Sequence, residues 1–269
     1  MTSTRYSRIP QRRIAETVAA ELRARILAGD DAYRLPPQDQ LVQEFGVSHP
    51  SVREALRILE TEGLVTVRRG NVGGAEVHRP DETSAAYHLG LALQGSRVTL
   101  RDLAEGLRML EPLCAAECAR RPDRLEAVVP VLEANVTAST GLVEDGAAFR
   151  RTAREFHDLL VSFTPNATVR YVVSSLVALW SAQERTWAGA LPPQDEGYPF
   201  KTEAECSVRD HRRITEEIAA GRAAEAEILA RAHLASTQRL SLERFDDGIV
   251  NASSAGARQA MQAGRGTAL

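Results

Sequence analysis

The stretch GVSHPSVREALRILETEGLVTVRRG, from Gly46 to Gly70, decides the fold of the N-terminal part of the chain. Ser48 is a favourable helix N-cap, and Pro50 is tolerated in a first helical turn, where backbone N–H groups have no intrahelical partner. The next apolar residues follow the spacing i, i+3, i+4 and i+7 and predict one buried stripe, formed by Val52, Ala55, Leu56 and Leu59. We expect Arg53 and Arg57, which lie off that stripe, to face outward.

The residues on either side of this stretch predict the rest of a small domain. Apolar residues recur every fourth position from Ile14 to Ile26 and indicate a helix that ends at Gly29. A short extended piece and a second helix that closes at Gly46 follow. After the third helix, β-branched residues on both sides of the run Gly70–Gly74 predict two strands joined by a glycine-rich turn. Together these elements predict a winged helix-turn-helix domain over residues 1–80.

The start of the third helix suits contact with double-stranded DNA. Arginine and small polar groups at a helix N-terminus bind phosphates and read base edges. We expect Arg53 to bond guanine in bidentate fashion and Arg57 to hold a phosphate. The alternative is that both arginines belong to a charged solvent-facing surface, but the short turn before the helix and the hairpin after it favour DNA.

From residue 81 onward the pattern changes to long helices, so the fold class is mainly α, with an all-helical bundle over residues 81–245. The expected helices span 82–95, 100–120, 123–138, 146–163, 166–188, 202–220 and 222–243. Residues 246–269 lose apolar spacing and gain glycine, alanine and serine, which predicts a weakly ordered tail.

Composition places the chain among folded globular proteins with two differently charged parts. The 269 residues are 43% hydrophobic, and the net charge of −3 hides an excess of basic residues up to residue 80 and of acidic residues after it. No apolar run reaches the about 18 residues of a membrane span, and no signal-peptide core begins the chain, which predicts a cytoplasmic protein without a membrane partner. Three cysteines, Cys114, Cys118 and Cys206, are too few for a disulfide framework.

Residues 10–80, above all RLPPQDQLVQEFGVSHPSVREALRILETEGLVTVRRG, resemble the DNA-binding domain of the GntR family of bacterial transcription regulators. The resemblance implies DNA contacts at Arg34, Ser48, His49, Ser51 and Arg53, and at Gly70 with the flanking Arg69. Two residues depart from the family pattern. Asp39 stands where the family often has arginine, which removes an expected contact. His49 replaces another frequent arginine, so the operator sequence is expected to differ.

The second part resembles the helical FCD effector domain of the FadR-type branch of that family, which binds small acids and dimerises. The segments that carry the resemblance are TLRDLAEGLRMLEP, REFHDLLVSFTPNATV, VRDHRRITEEIAAGRAAEAE and ARAHLAS. By position, the family arginine before Pro112 is Leu107 here. We therefore assign an effector carboxylate to Arg150 and Arg154.

Three histidines on separate predicted helices, His157, His211 and His233, are candidate ligands for Zn²⁺ or a similar divalent transition metal. The family site usually adds an aspartate four residues before the first histidine, where this chain has Ala153. The alternative is that the histidines are hydrogen-bonded core residues.

Two functions follow from these features. The favoured one is a homodimeric regulator that binds a pseudo-palindromic operator and responds to a small acidic metabolite. The alternative is a metal-dependent enzyme built on the three histidines, since three histidines can hold a catalytic zinc with an open position. The sequence shows no obvious general base beside them, and an intact DNA-reading domain is hard to explain on an enzyme.

Overall fold

The computed structural model describes residues 11–29, 34–67, 75–78, 82–189, 200–245 and 248–252. The chain divides into two compact units, Met1–Asp81 and Glu82–Leu269. Each unit has its own buried apolar core.

The first unit is a winged helix-turn-helix, as predicted. Its elements are α1 (Gln11–Ala28), α2 (Gln38–Phe45), α3 (His49–Thr61), β1 (Val65–Val67) and β2 (Ala75–Val77). The predicted stripe of α3 is buried against Leu22 and Ile26 of α1 and Leu41 of α2. The strands are antiparallel with Val65 opposite Val77, and an isolated bridge between Arg34 and Glu76 places the extended piece beside them. The predicted glycine-rich turn lies outside the described residues.

The turn between α2 and α3 depends on a left-handed residue. Gly46 has φ +61°, and its N–H donates to the Val42 carbonyl, which ends α2 within one residue. Ser48 then occupies the N-cap of α3 in extended conformation. Its hydroxyl lies 3.0 Å from the Ser51 hydroxyl, so the two serines pair with each other.

The second unit is helical throughout its described length. Its helices are α4 (Glu82–Gly95), α5 (Leu100–Arg120), α6 (Val129–Thr140), α7 (Gly146–Ser162), α8 (Ala167–Gly189), α9 (Lys201–Ala219) and α10 (Ala223–Phe245). The helix expected over 123–138 is divided, because a wide π-helical turn, Arg124–Val128, precedes α6. Pro130 has no N–H to donate to the Glu126 carbonyl, so regular α-helical bonding cannot run through this point. Within the described residues, no helix combines the length and apolar character needed to cross a bilayer.

Helices α5 and α10 pack against each other in antiparallel fashion. Leu242 shares a buried cluster with Leu100, and the Arg231 guanidinium on α10 donates to the Arg108 carbonyl on α5 at 2.7 Å. That carbonyl lies four residues before Pro112, which has no N–H to give it. Arg231 therefore replaces the hydrogen bond that Pro112 removes from α5.

The prediction of a weakly ordered tail is wrong for residues 248–252. The Leu100 N–H donates to the Gly248 carbonyl, and the Val250 N–H donates to the Val98 carbonyl, at 2.8 and 3.0 Å. Val250 and Ala252 are fully buried. Burial of these side chains and backbone pairing hold the segment against the start of α5, while residues 253–269 lie outside the described residues.

The cysteines on α5 are small buried residues, as expected. Cys118 donates its thiol hydrogen to the Leu160 carbonyl at 3.3 Å. Burial raises the pKa of Cys114 to about 11 and that of Cys118 to about 12, because the thiolate would lose its hydration. Both thiols therefore remain protonated at neutral pH.

Candidate functional site

The N-terminal end of α3 carries exposed polar side chains of the kind expected for a DNA-reading helix. Ser48, His49, Arg53 and Arg57 are exposed there. Arg57 lies 3.6 Å from the Glu54 carboxylate, one turn earlier on the same helix. An exposed helix start with Arg53 on its second turn can place backbone N–H groups at a phosphate and a guanidinium at a base edge.

Ser51 requires a correction. It is 2% exposed, since it lies four residues before Ala55 on the buried side of α3, and its hydroxyl is paired with Ser48. Ser51 therefore positions the exposed Ser48 and does not itself face outward. Among the other predicted DNA contacts, Arg34 is exposed, and His49 Nδ1 lies 3.7 Å from the Asp39 carboxylate. Arg69 and Gly70 lie outside the described residues.

The three predicted histidines meet inside the helical unit. His157 comes from α7, His211 from α9 and His233 from α10, and one nitrogen of each ring lies within 4.8 Å of the others. The Nε2 atoms of His211 and His233 are 3.0 Å apart. The fold thus brings together imidazoles that are far apart in the sequence.

Neighbouring groups orient the three rings. His157 Nδ1 lies 2.6 Å from Glu111 Oε1, and His233 Nδ1 lies 3.3 Å from Asp210 Oδ2. A carboxylate can only accept, so both Nδ1 atoms donate and the opposite nitrogens keep their lone pairs. The His211 ring stacks on Phe156 with centroids 3.9 Å apart. Such outer contacts fix the tautomer and direction of metal-binding imidazoles.

Burial lowers the pKa of His211 well below its usual value, with the other two histidines adding to the effect, and burial also lowers the pKa of His233. For His157, burial opposes the charged form, but the Glu111 carboxylate outweighs it and raises the pKa. Neutral imidazoles are the form that binds metal, so the lowered pKa values of His211 and His233 favour a metal at these two rings.

The donor set fits a divalent transition metal. Nitrogens bound to one Zn²⁺ at about 2.1 Å lie at most about 4.2 Å apart, so a small contraction of the cluster suffices. Three imidazoles leave positions open for water or a ligand. Ala153, one turn before His157, lines the adjoining cavity and supplies no fourth ligand.

A cavity of about 130 Å³ adjoins the histidines. Both predicted effector residues, Arg150 and Arg154, line it together with His157 and His233. Arg154 lies 3.7 Å from the Glu184 carboxylate, which also accepts from Trp180 Nε1 at 3.0 Å. The lining thus combines the two arginines and two imidazoles with the carboxylates of Glu111, Glu184 and Glu203, and apolar side chains make up much of the remaining wall.

Several lining residues were missed by sequence reasoning. Trp180, Trp187, Ser181 and Gln238 lie on the cavity wall. For Gln238 a signal exists, because α10 presents His233, Leu234, Thr237, Gln238 and Ser241 on one face at helical spacing. For the α8 residues, only the packing of the bundle shows that they face the histidines.

The family model "Bacterial regulatory proteins, gntR family" matches residues 14–73, and the model "FCD domain" matches residues 102–236. The HTH-type transcriptional regulator LutR of Bacillus subtilis is 25% identical over 220 residues, which covers 80% of this chain and 94% of LutR. The HTH-type transcriptional repressor NanR of Klebsiella aerogenes is 28% identical over 172 residues, or 61% of this chain and 64% of NanR. The solved Streptococcus agalactiae GntR structure has the same fold, with a TM-score of 0.58 and 21% identity over 84% of this chain and 99% of that one.

Proposed function

Because the chain belongs to the GntR family of bacterial regulatory proteins and carries an FCD domain, we propose that a small acid controls how its homodimer binds a pseudo-palindromic operator. The chain is a DNA-binding transcription regulator with a small-molecule effector domain, and its family and relatives are regulators, not enzymes. The alternative of a metal-dependent enzyme finds no support in these comparisons. A cytoplasmic site of action is part of the proposal, since operator DNA lies there.

We infer an acidic effector from one observation: cationic side chains and metal-binding imidazoles line the same cavity. Arg150 and Arg154 line it from α7, and so do His157 and His233, which belong to the three-histidine cluster. Neutral imidazoles would leave a divalent ion its full charge, because Ala153 contributes no carboxylate. An anionic ligand is favoured at such a site, and we assign Zn²⁺ or a similar ion to His157, His211 and His233.

The metal is tested on protein purified without a histidine tag. We expect about one transition-metal ion per chain by elemental analysis, and weaker binding of carboxylates after chelation. His211→Ala should lose both. His88→Ala, which removes an exposed histidine of α4 that does not line the cavity, serves as the matched control. If the native protein holds no metal and binds the same carboxylate equally well after exhaustive chelation, the histidines are core residues or direct effector contacts.

The dimer rests on two arguments. One winged-helix module buries too little surface for strong sequence specificity, so two modules on a two-fold-related site are expected. The helical unit also exposes large apolar side chains where α5 and α10 pack: Met109 is 65% exposed, Leu113 42% and Ile228 65%. Met109 and Leu113 are one turn apart, and Ile228 lies one turn before Arg231, which contacts Arg108. We place the second copy on this apolar face.

The operator is tested by selection from random DNA followed by footprinting, with and without the tightest-binding carboxylate of a thermal-shift screen. We expect two half-sites about one helical turn apart and a change in DNA affinity when the acid is added. A footprint of one half-site, or a sedimentation coefficient of a monomer at micromolar concentration, contradicts the dimer.

A further inference from the structure

Gln238 on α10 is a buried amide that lines the effector cavity. It is 1% exposed, and within the described part of the chain neither its Oε1 nor its Nε2 has a hydrogen-bond partner. Exchanging the two amide atoms leaves this conclusion unchanged, since both lack partners. Another buried glutamine of the same unit, Gln183, behaves differently, because its amide donates to the Leu179 and Asn251 carbonyls.

An unpaired buried amide is costly to a fold, so its donor and acceptor need a partner in the working state of the protein. Gln238 stands five residues after His233 on the same helix, or about 7.5 Å along the helix axis. The two side chains line one cavity at different levels of α10. A ligand that holds its anionic end at the histidines can therefore present its other end to Gln238.

We propose that Gln238 binds the far end of the effector, and that this end is a neutral group which both accepts and donates hydrogen bonds, such as an alcohol or a carboxamide. This assignment rests on the proposed effector role of the cavity. The ligand class is then a short carboxylic acid with a hydroxyl or amide at its other end. Leu107, Val177 and Trp180 line the space beside the carbon chain.

The amide selects against two neighbouring classes of acid. An ionised second carboxylate accepts from Nε2 but has no hydrogen to donate to Oε1. An alkyl end satisfies neither atom and leaves the amide buried and unpaired. A site built to bond a hydroxyl rejects the analogue that lacks it more strongly than an apolar pocket rejects an extra hydroxyl.

The test uses four five-carbon acids whose chain length suits this spacing: 5-hydroxypentanoate, glutaramate, glutarate and pentanoate. Binding to the full chain is measured by calorimetry for the native protein and for Gln238→Leu. We expect the native protein to bind the hydroxy and amide acids on the order of tenfold tighter than glutarate or pentanoate. In Gln238→Leu this preference should disappear, with pentanoate bound as well as the others.

Thermal unfolding of the ligand-free variants separates a binding role from a structural one. Replacing an unpaired amide by an apolar side chain of similar size should leave the melting temperature of Gln238→Leu unchanged or raise it. The matched Gln183→Leu should lower it, because paired backbone carbonyls lose their donor. A similar loss in both variants overturns the proposal.

The proposal is also overturned if native protein binds pentanoate or glutarate as tightly as the hydroxy acid, or if Gln238→Leu keeps the preference. Failure of all four acids at millimolar concentration, while another carboxylate binds, shows that the ligand class is wrong. If no carboxylate binds at all, the effector role of the cavity fails instead.

Discussion

A carboxylate introduced one turn before His157 should change the affinities of the cavity for metal and for an acidic effector in opposite directions. Ala153→Asp places an anion on α7 at i−4 from His157, where side chains on one helix face lie about 5–6 Å apart. An effector carboxylate held at His157 would lie at a similar distance from the new aspartate, and two unit charges about 6 Å apart repel by about 2.8 kcal/mol at an effective dielectric constant near 20. We therefore expect a bound carboxylate to weaken by on the order of a hundredfold.

The metal should respond in the opposite direction. A fourth ligand adds a bond and reduces the charge of the ion, and we expect metal affinity to rise by about tenfold to a hundredfold, the scale on which neighbouring groups tune such sites. Metal affinity is measured by competition with a chelator, and acid affinity by calorimetry on metal-saturated protein. Ala153→Asn is the control, because it adds similar volume without charge.

We expect the Asp variant to bind the metal more tightly and the acid more weakly, and the Asn variant to change both affinities only slightly. If the Asp and Asn variants lose the same affinity for the acid, the bulk of the new side chain, and not its charge, blocks the cavity. Unchanged metal affinity in the Asp variant would falsify the assignment of Ala153 to the vacant ligand position.

The other predictions concern DNA, assembly and pH. Arg53→Ala should cost about 1–3 kcal/mol on the selected operator and relax preference at one base, whereas Arg57→Ala should weaken all sequences alike, as measured by titration on operator and mutated DNA. Met109→Glu combined with Leu113→Glu should convert the dimer to a monomer in sedimentation, while the exposed Leu125→Glu on the π-helical turn should not. Because the pKa values of Cys114 and Cys118 are raised in the fold, their contribution to the free energy of unfolding is complete below pH about 9, the ordinary thiol value, and is lost as pH rises through about 11 to 12. Urea unfolding should therefore give a lower stability at pH 10 than at pH 8. In Cys114→Ala this difference should be smaller.

Local periodicity predicted much of the fold. The spacing of Val52, Ala55, Leu56 and Leu59 was sufficient to orient α3, because a helix can bury only one face against its neighbours. The same spacing also indicates that Ser51 is buried, because it lies one turn before Ala55 on the same face of the helix. Both the polar start of α3 and the family resemblance point to Ser51 as a DNA contact, but the periodic pattern is the better guide at this position.

Contacts between distant segments were not predictable in the same way. Glu111 and His157 are 46 residues apart, and no local pattern indicates that their side chains meet. The pairing of Val250 with Val98 was missed for a related reason. A short apolar pair in a glycine-rich and serine-rich segment has no periodicity of its own, so only its backbone pairing with the start of α5 reveals that it packs.

Two cavity residues, Ala153 and Gln238, have complementary consequences. Because Ala153 supplies no carboxylate, a metal at the histidines would keep more of its positive charge and favour an anion there. Gln238 adds no charge at the other level of α10, yet it requires a partner with both a donor and an acceptor. A diacid meets the first condition and fails the second, and a neutral alcohol does the reverse. Because each end rejects what the other accepts, a ligand with one anionic and one neutral polar end is selected by the pair and not by either residue alone. The double variant Ala153→Asp with Gln238→Leu should therefore favour neutral, apolar compounds in the same cavity, which a calorimetric comparison of pentanol with pentanoate would show.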